Sequence, residues 1–112
     1  MKENVYYTYI VRCVDNSLYT GITTDIKRRI NEHLSQNHLC AKYTKQRKII
    51  KLEALWKSDS RSLASKLEYH IKQLPKQKKE QLINNCCSLE LFFDFDITNF
   101  YTEDVSSVFI LK

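Results

Sequence analysis

Two runs dense in β-branched and aromatic residues, Val5 to Cys13 and Leu18 to Thr23, flank the turn-like Asp15-Asn16-Ser17. No other feature limits the fold so tightly, because such side chains suit a pleated surface and the residues between them suit a turn; an antiparallel β-hairpin is predicted. With residues 15–17 as the turn, Tyr19 pairs with Cys13 and Gly21 with Val11, which puts Tyr9 and Tyr19 on one sheet face. A two-residue turn would put the rings on opposite faces. On the first register the single glycine among 112 residues leaves a notch beside two phenols, where a ligand backbone can approach.

Helical spacing follows. Thr24 or Asp25 can cap a helix over 25–36, whose buried stripe is Ile26, Ile30 and Leu34. Residues 37–47 are polar and Lys-rich, a loop. Ile50, Leu52, Ala54 and Trp56 alternate with Lys51, Glu53 and Leu55, the period-2 pattern of a half-buried third strand. Ser58-Asp59-Ser60 supplies caps for a helix over 60–74 with the stripe Leu63, Leu67, Ile71 and Leu74. Pro75 ends that helix or opens the next, a short one over 76–84 anchored by Leu82 and Ile83. Beyond Asn85, Leu89, Leu91, Phe93 and Phe95 alternate with Glu90, Phe92, Asp94 and Asp96, and Val105 to Leu111 is again strand-like. The predicted class is α+β: a small three-stranded antiparallel sheet flanked by helices in the order β-β-α-β-α-α, with a C-terminal β-like extension. Residues 1–85 form the domain proper, and 86–112 an acidic, Phe-rich extension packed on it.

At this length one hydrophobic core is expected. The chain is 43% apolar and 28% charged, which excludes a disordered tail. No run of 18 apolar residues occurs, and Met1 to Asn4 lead into the first strand without a signal-peptide core, so a soluble, cytoplasmic protein with no membrane partner is expected. Cys13, Cys40, Cys86 and Cys87 contain no CxxC pair and read as reduced, packed thiols. Residues 1–85 carry 17 Lys and Arg against 8 Asp and Glu, whereas 86–112 carry one Lys against five acids. A basic body suits a polyanion, because clustered cations gain from counterion release on nucleic acid.

Tyr9, Tyr19 and Gly21 share the hairpin. Arg29 and His33 are four apart on the next helix and flank its apolar stripe; Glu68 stands on the shoulder of the stripe of the second. Phenol, guanidinium, imidazole and carboxylate beside one notch are the parts that phosphodiester hydrolysis requires. The carboxylate holds a divalent metal, metal and Arg neutralise the phosphate, and a phenol or imidazole handles the proton of the attacking water.

The ordered segments Tyr7-Thr8-Tyr9, Tyr19-Thr20-Gly21, Arg29, His33 and Leu67-Glu68-Tyr69-His70-Ile71-Lys72 resemble the GIY-YIG nuclease domain over roughly residues 5–84. The likeness is closer to its small stand-alone bacterial branch, through Ser17 to Asp25, Glu32-His33 and Ala41-Lys42-Tyr43-Thr44. The resemblance implies a metal-dependent endonuclease that cuts DNA by water attack, leaving a 5′-phosphate and a 3′-hydroxyl. It makes Tyr9 or Tyr19 the general base or water-orienting group, and Arg29 the group that stabilises the phosphate. His33 would assist proton transfer or contact the phosphate, Glu68 would be the single ligand of Mg²⁺ or Mn²⁺, and Gly21 would permit close approach. Tyr7 and Thr8 stand where the first motif half has glycine and isoleucine; Ile22 replaces a further Lys of some members, and Lys72, Asn84 or Asn85 would stand in for a late Asn.

Lys42, Tyr43, Lys45 and Arg47 interleave basic and aromatic groups as single-strand binders do, and with Lys72 are the candidate substrate contacts. The expected partner is nucleic acid, foremost DNA, of branched, damaged or single-stranded form. A DNA- or RNA-binding module that keeps the scaffold without turnover is the alternative. His38 and His70 read as surface residues. The C-terminal strands are expected to extend the sheet, cover an edge or make a homodimer contact.

Overall fold

The computed structural model describes residues 5–35, 48–103 and 105. Its elements are β1 (Tyr6–Cys13), β2 (Leu18–Thr23), α1 (Ile26–Ser35), β3 (Ile49–Ser58), α2 (Arg61–Lys72), α3 (Lys76–Asn84), a short 3-10 turn (Leu89–Leu91) and β4 (Tyr101–Thr102). The sheet is antiparallel with strand order β2-β1-β3-β4. Among the described residues it has four strands, not three: the two-residue β4 pairs Thr102 with Trp56 and Tyr101 with Lys57. Two of the three roles expected of the C-terminal segment are thus taken, because β4 extends the sheet and covers part of the β3 edge.

The hairpin forms as the residue pattern demands, with its turn one residue earlier than expected. Asn16 N donates to Cys13 O at 2.8 Å, and Cys13 N to Ser17 O at 2.8 Å, which encloses a three-residue loop of Val14, Asp15 and Asn16. Asn16 takes the left-handed conformation at φ 71°, the position at which a type I turn joins a bulge. Pairing therefore sets Tyr9 against Gly21 and Val11 against Tyr19. The loop is still three residues long, so the parity holds and both tyrosines occupy one face.

Neighbouring strand residues point to opposite faces, and each face is covered. Tyr9, Val11 and Cys13 pack with Ile26 and Ile30 of α1; Ile10, Ala54 and Trp56 pack with Leu67 and Ile71 of α2 and Leu82 of α3. The chain thus builds two clusters on one central sheet where a single core was expected. Register shifts between Ile10 and Val11 and between Arg12 and Cys13 rephase β3. Ile50 is consequently exposed, and Leu55 is buried because it faces the first cluster while Ala54 and Trp56 face the second.

Caps close the helices as expected. Asp25 Oδ1 accepts from Arg28 N at 3.1 Å, Ser60 Oγ accepts from Leu63 N at 3.1 Å, and Pro75 precedes the first turn of α3. The stretch 89–96 is not a strand. Trp56 Nε1 and Thr102 Oγ1 both donate to Cys86 O, at 2.8 and 3.0 Å, and Phe92 N and Phe93 N both donate to Leu89 O. These bonds curl the chain over the second cluster, where Leu89 and Phe100 are buried. Of the second expected strand, 105–111, only Val105 lies among the described residues, and it packs on the first cluster.

Candidate active site

Tyr9 stands in the middle of β1, buried and directly opposite Gly21. A Cβ on Gly21 would lie 2.6 Å from the Tyr9 hydroxyl, 2.8 Å from Tyr9 Cζ and 3.1 Å from Tyr19 Cε2. The glycine is required because the phenol lies across its strand, an aromatic ring covering a cross-strand glycine. The expected notch is filled by Tyr9 itself, leaving no open space for a ligand backbone beside Gly21.

α1 supplies the next two groups. His33 is fully buried, and its Nε2 lies 2.9 Å from the Tyr9 hydroxyl in a hydrogen bond. The rings of Tyr9, Tyr19 and His33 form a triangle with centroids 6.3, 5.8 and 5.6 Å apart. Burial, and then the Arg29 charge, hold the imidazole down to about 4, so it is neutral at neutral pH. Burial, and then Tyr19, raise the Tyr9 phenol far above its ordinary range, while Arg29 works in the opposite direction. The resting pair is a neutral phenol against a neutral imidazole.

Arg29 lies on the same helix face, its guanidinium bonded to Glu32 at 2.6 Å. Burial opposes its charge, but Glu32 and Tyr9 outweigh that and raise its pKa. Glu32 also accepts from Arg28 at 2.8 Å, and Arg29 foremost keeps the Glu32 carboxyl below its usual value. A cavity of about 310 Å³ adjoins this pair, lined by Tyr6, Thr23, Arg28, Arg29, Glu32 and Arg61. Three guanidinium groups at one opening suit an anion.

Glu68 and Lys72 come from the other side of the sheet. Leu67 and Ile71 of α2 are buried in the second cluster, and Glu68 and Lys72 stand one turn apart on its shoulder, 3.2 Å from each other. The Lys72 ammonium lies 5.8 Å from the Tyr19 ring centroid, within cation–π range. The Glu68 carboxylate is near enough to Tyr9 to oppose its ionisation. Lys72 thus approaches Tyr19 on β2, an edge strand of the sheet, and Glu68 acts on Tyr9 of the neighbouring β1.

All five expected chemical groups therefore meet: Tyr9, Tyr19, Arg29, His33 and Glu68. Lys42, Tyr43, Lys45 and Arg47 lie outside the described residues, as do His38 and Cys40. His70 is half-buried, 4.7 Å from the Phe95 ring and 6.0 Å from that of Phe93, rather than a surface residue. Sequence reasoning missed Arg12, which bonds Glu53 at 2.5 Å and both oxygens of Glu80, and so ties β1 to α3. The signal available was an arginine inside an otherwise apolar strand. Among the described residues no three His, Cys, Asp or Glu side chains gather to hold a metal, and no helix is long and apolar enough to cross a membrane.

A hairpin with two tyrosines on one face, backed by Arg and His from one helix and approached by Glu from another, defines the site of a small α+β domain. The chain belongs to the GIY-YIG family: the model of the GIY-YIG catalytic domain matches residues 5–81. It is 48% identical over 79 residues to the UPF0213 protein FN1575 of Fusobacterium nucleatum, covering 70% of this chain and 77% of that one. Identity to the UPF0213 protein BH0048 of Halalkalibacterium halodurans is 46% over 79 residues, covering 70% and 82%. The solution NMR structure of BH0048 aligns with 71% of this chain and 83% of its own at a TM-score of 0.47 and 45% identity. Membership places the chain among nuclease-type domains directed at nucleic acid; the relatives' names specify no activity.

Proposed function

We propose that the protein is a metal-dependent endonuclease that hydrolyses DNA phosphodiester bonds, with branched, damaged or single-stranded DNA as substrate and the cytoplasm as its place of action. The observation that carries this reading is the Tyr9–His33 hydrogen bond at 2.9 Å, set between Tyr19, the Arg29 guanidinium and the Glu68 carboxylate. A neutral imidazole beside a neutral phenol forms a two-step proton path. As water attacks phosphorus, its proton passes to the Tyr9 oxygen while the phenol proton passes to His33 Nε2, and the bond from phosphorus to the 3′-oxygen breaks, that oxygen taking a proton from solvent to leave a 3′-hydroxyl and a 5′-phosphate. Tyr19, the more exposed phenol, orients the water, and Arg29 offsets the charge that grows on the phosphate oxygens.

Glu68 suits a hard divalent cation that needs few protein ligands. Mg²⁺ and Mn²⁺ sites take one or two carboxylates and fill the remaining positions with water and substrate phosphate, so a lone, partly exposed carboxylate suffices. Bound there, the cation would supply positive charge to the scissile phosphate. Lys72, half in solvent, would yield the carboxylate and turn towards the DNA.

The same Glu68–Lys72 pair favours the second reading, because a carboxylate already neutralised by lysine suits a module that binds DNA or RNA without cutting it. A labelled panel of single-stranded, nicked and branched DNA incubated with Mg²⁺ or Mn²⁺ separates the two. Strand cleavage lost in Glu68→Ala supports the nuclease. Cleavage unchanged in Glu68→Ala refutes the role given to Glu68, and salt-dependent binding with no cleavage under either metal favours the binding module.

A further inference from the structure

A second basic site lies beside the first, at the hairpin end of β2. A pocket of about 400 Å³ opens between the β1–β2 loop and α3, lined by Asp15, Asn16, Ser17, Leu18, Lys76 and Lys79. Lys79 feels the charge of Lys72, and the Lys72 ammonium lies 5.8 Å from the Tyr19 ring centroid, so the pocket adjoins the wall formed by Tyr19 and Lys72. We propose that this pocket is a second phosphate subsite, in which Lys79 and Lys76 hold the flanking backbone of a DNA strand whose scissile phosphate lies at Tyr19, Arg29 and Glu68. The assignment rests on the nuclease reading and extends its footprint along β2.

The placement of Lys79 carries the argument. Its side chain is half-buried and makes no ion pair or side-chain hydrogen bond among the described residues. Burial and the nearby Lys72 ammonium both disfavour its charge and lower its pKa. A half-buried lysine beside another lysine is unfavourable until an anion arrives. The carboxylates at hand are already engaged. Both oxygens of Glu80 accept from Arg12, at 2.6 and 2.8 Å, with Lys76 a further partner at 2.9 Å. Asp15 Oδ1 accepts from Ser17 N and Oγ within its own turn. A phosphodiester, with one charge and several acceptor oxygens per nucleotide, matches lysines that offer point charges to a polar pocket.

Fluorescence anisotropy with a 5′-labelled single-stranded 12-mer, in chelator and across a salt series, tests the subsite. Lys79→Gln is expected to weaken binding about fivefold and to lower the slope of log affinity against log salt by about 0.7. Lys79→Arg is expected to restore affinity to within about twofold, and Lys78→Gln, exposed on the same helix, to leave it within about twofold. Wild-type affinity and slope in Lys79→Gln would overturn the subsite, as would an equal loss in Lys78→Gln. Either result, found beside cleavage that depends on Glu68, removes the subsite and leaves the nuclease. Absence of both binding and cleavage by the wild type at low salt removes both.

Discussion

Gly21 and His33 show how far single positions are fixed by the ring between them. Alanine at Gly21 would set a carbon 2.6 Å from the Tyr9 hydroxyl. Gly21→Ala is expected to destabilise the fold by about 2 kcal/mol in urea unfolding, and most of that loss should disappear when Tyr9→Leu is added. His33 makes stability depend on pH. Its folded pKa of about 4 lies below the ordinary value of 6.5, so between these limits the unfolded chain binds a proton that the folded chain does not. Stability should therefore be complete above about pH 6.5, fall by up to about 1.4 kcal/mol per pH unit on acidification, and level off near 4. His33→Gln should flatten that decline. The facing of Tyr9 and Tyr19 was legible in the sequence because it depends only on an odd loop length, which the one-residue error in turn position left intact. The filling of the notch was not, since a residue's sheet face does not reveal how far its ring extends.

At the level of elements, apolar stripes located α1 and α2, because a 3.6-residue period survives without glycine to punctuate it, and Pro75 marked where α2 gives way to α3. Alternation misled at Leu89 to Phe95. The spacing imitates a strand, yet Leu91 is 69% exposed, and the bonds to the Cys86 and Leu89 carbonyls turn the chain away from a ladder. The docking of α3 was likewise hidden, because Arg12 and Glu80 are 68 positions apart. Glu80 is drawn down to about 2, first by its bond to Arg12 and then by Lys76. Its stabilisation is present above the ordinary carboxylate range and is lost as pH falls from there towards 2. Glu80→Gln should cost about 1–2 kcal/mol at pH 7, a figure moderated by the side chain's being one-third exposed, and the gap from wild type should close near pH 2.

Across the whole molecule, helices approach the sheet from both faces and meet chemically at β2, so the site depends on both clusters. The approach of Glu68 to the tyrosines was legible from its place on the shoulder of the α2 stripe and from the family resemblance, whereas the filling of the space at Gly21 needed the packed sheet. Residues 86–103 support the second cluster by burying Leu89 and Phe100 and by bonding the indole of Trp56. Ending the chain at Asn85 should lower stability by about 3 kcal/mol or more and shift the fluorescence of Trp56, the single tryptophan, to the red. The convergence itself is tested most directly by separating chemistry from binding, in single-turnover cleavage and equilibrium binding of one DNA substrate by wild type, Glu68→Ala and Arg29→Ala. Both variants are expected to cleave at least about 100-fold more slowly, while Glu68→Ala binds DNA in chelator within about threefold of wild type. Cleavage by either variant at the wild-type rate would contradict the convergence.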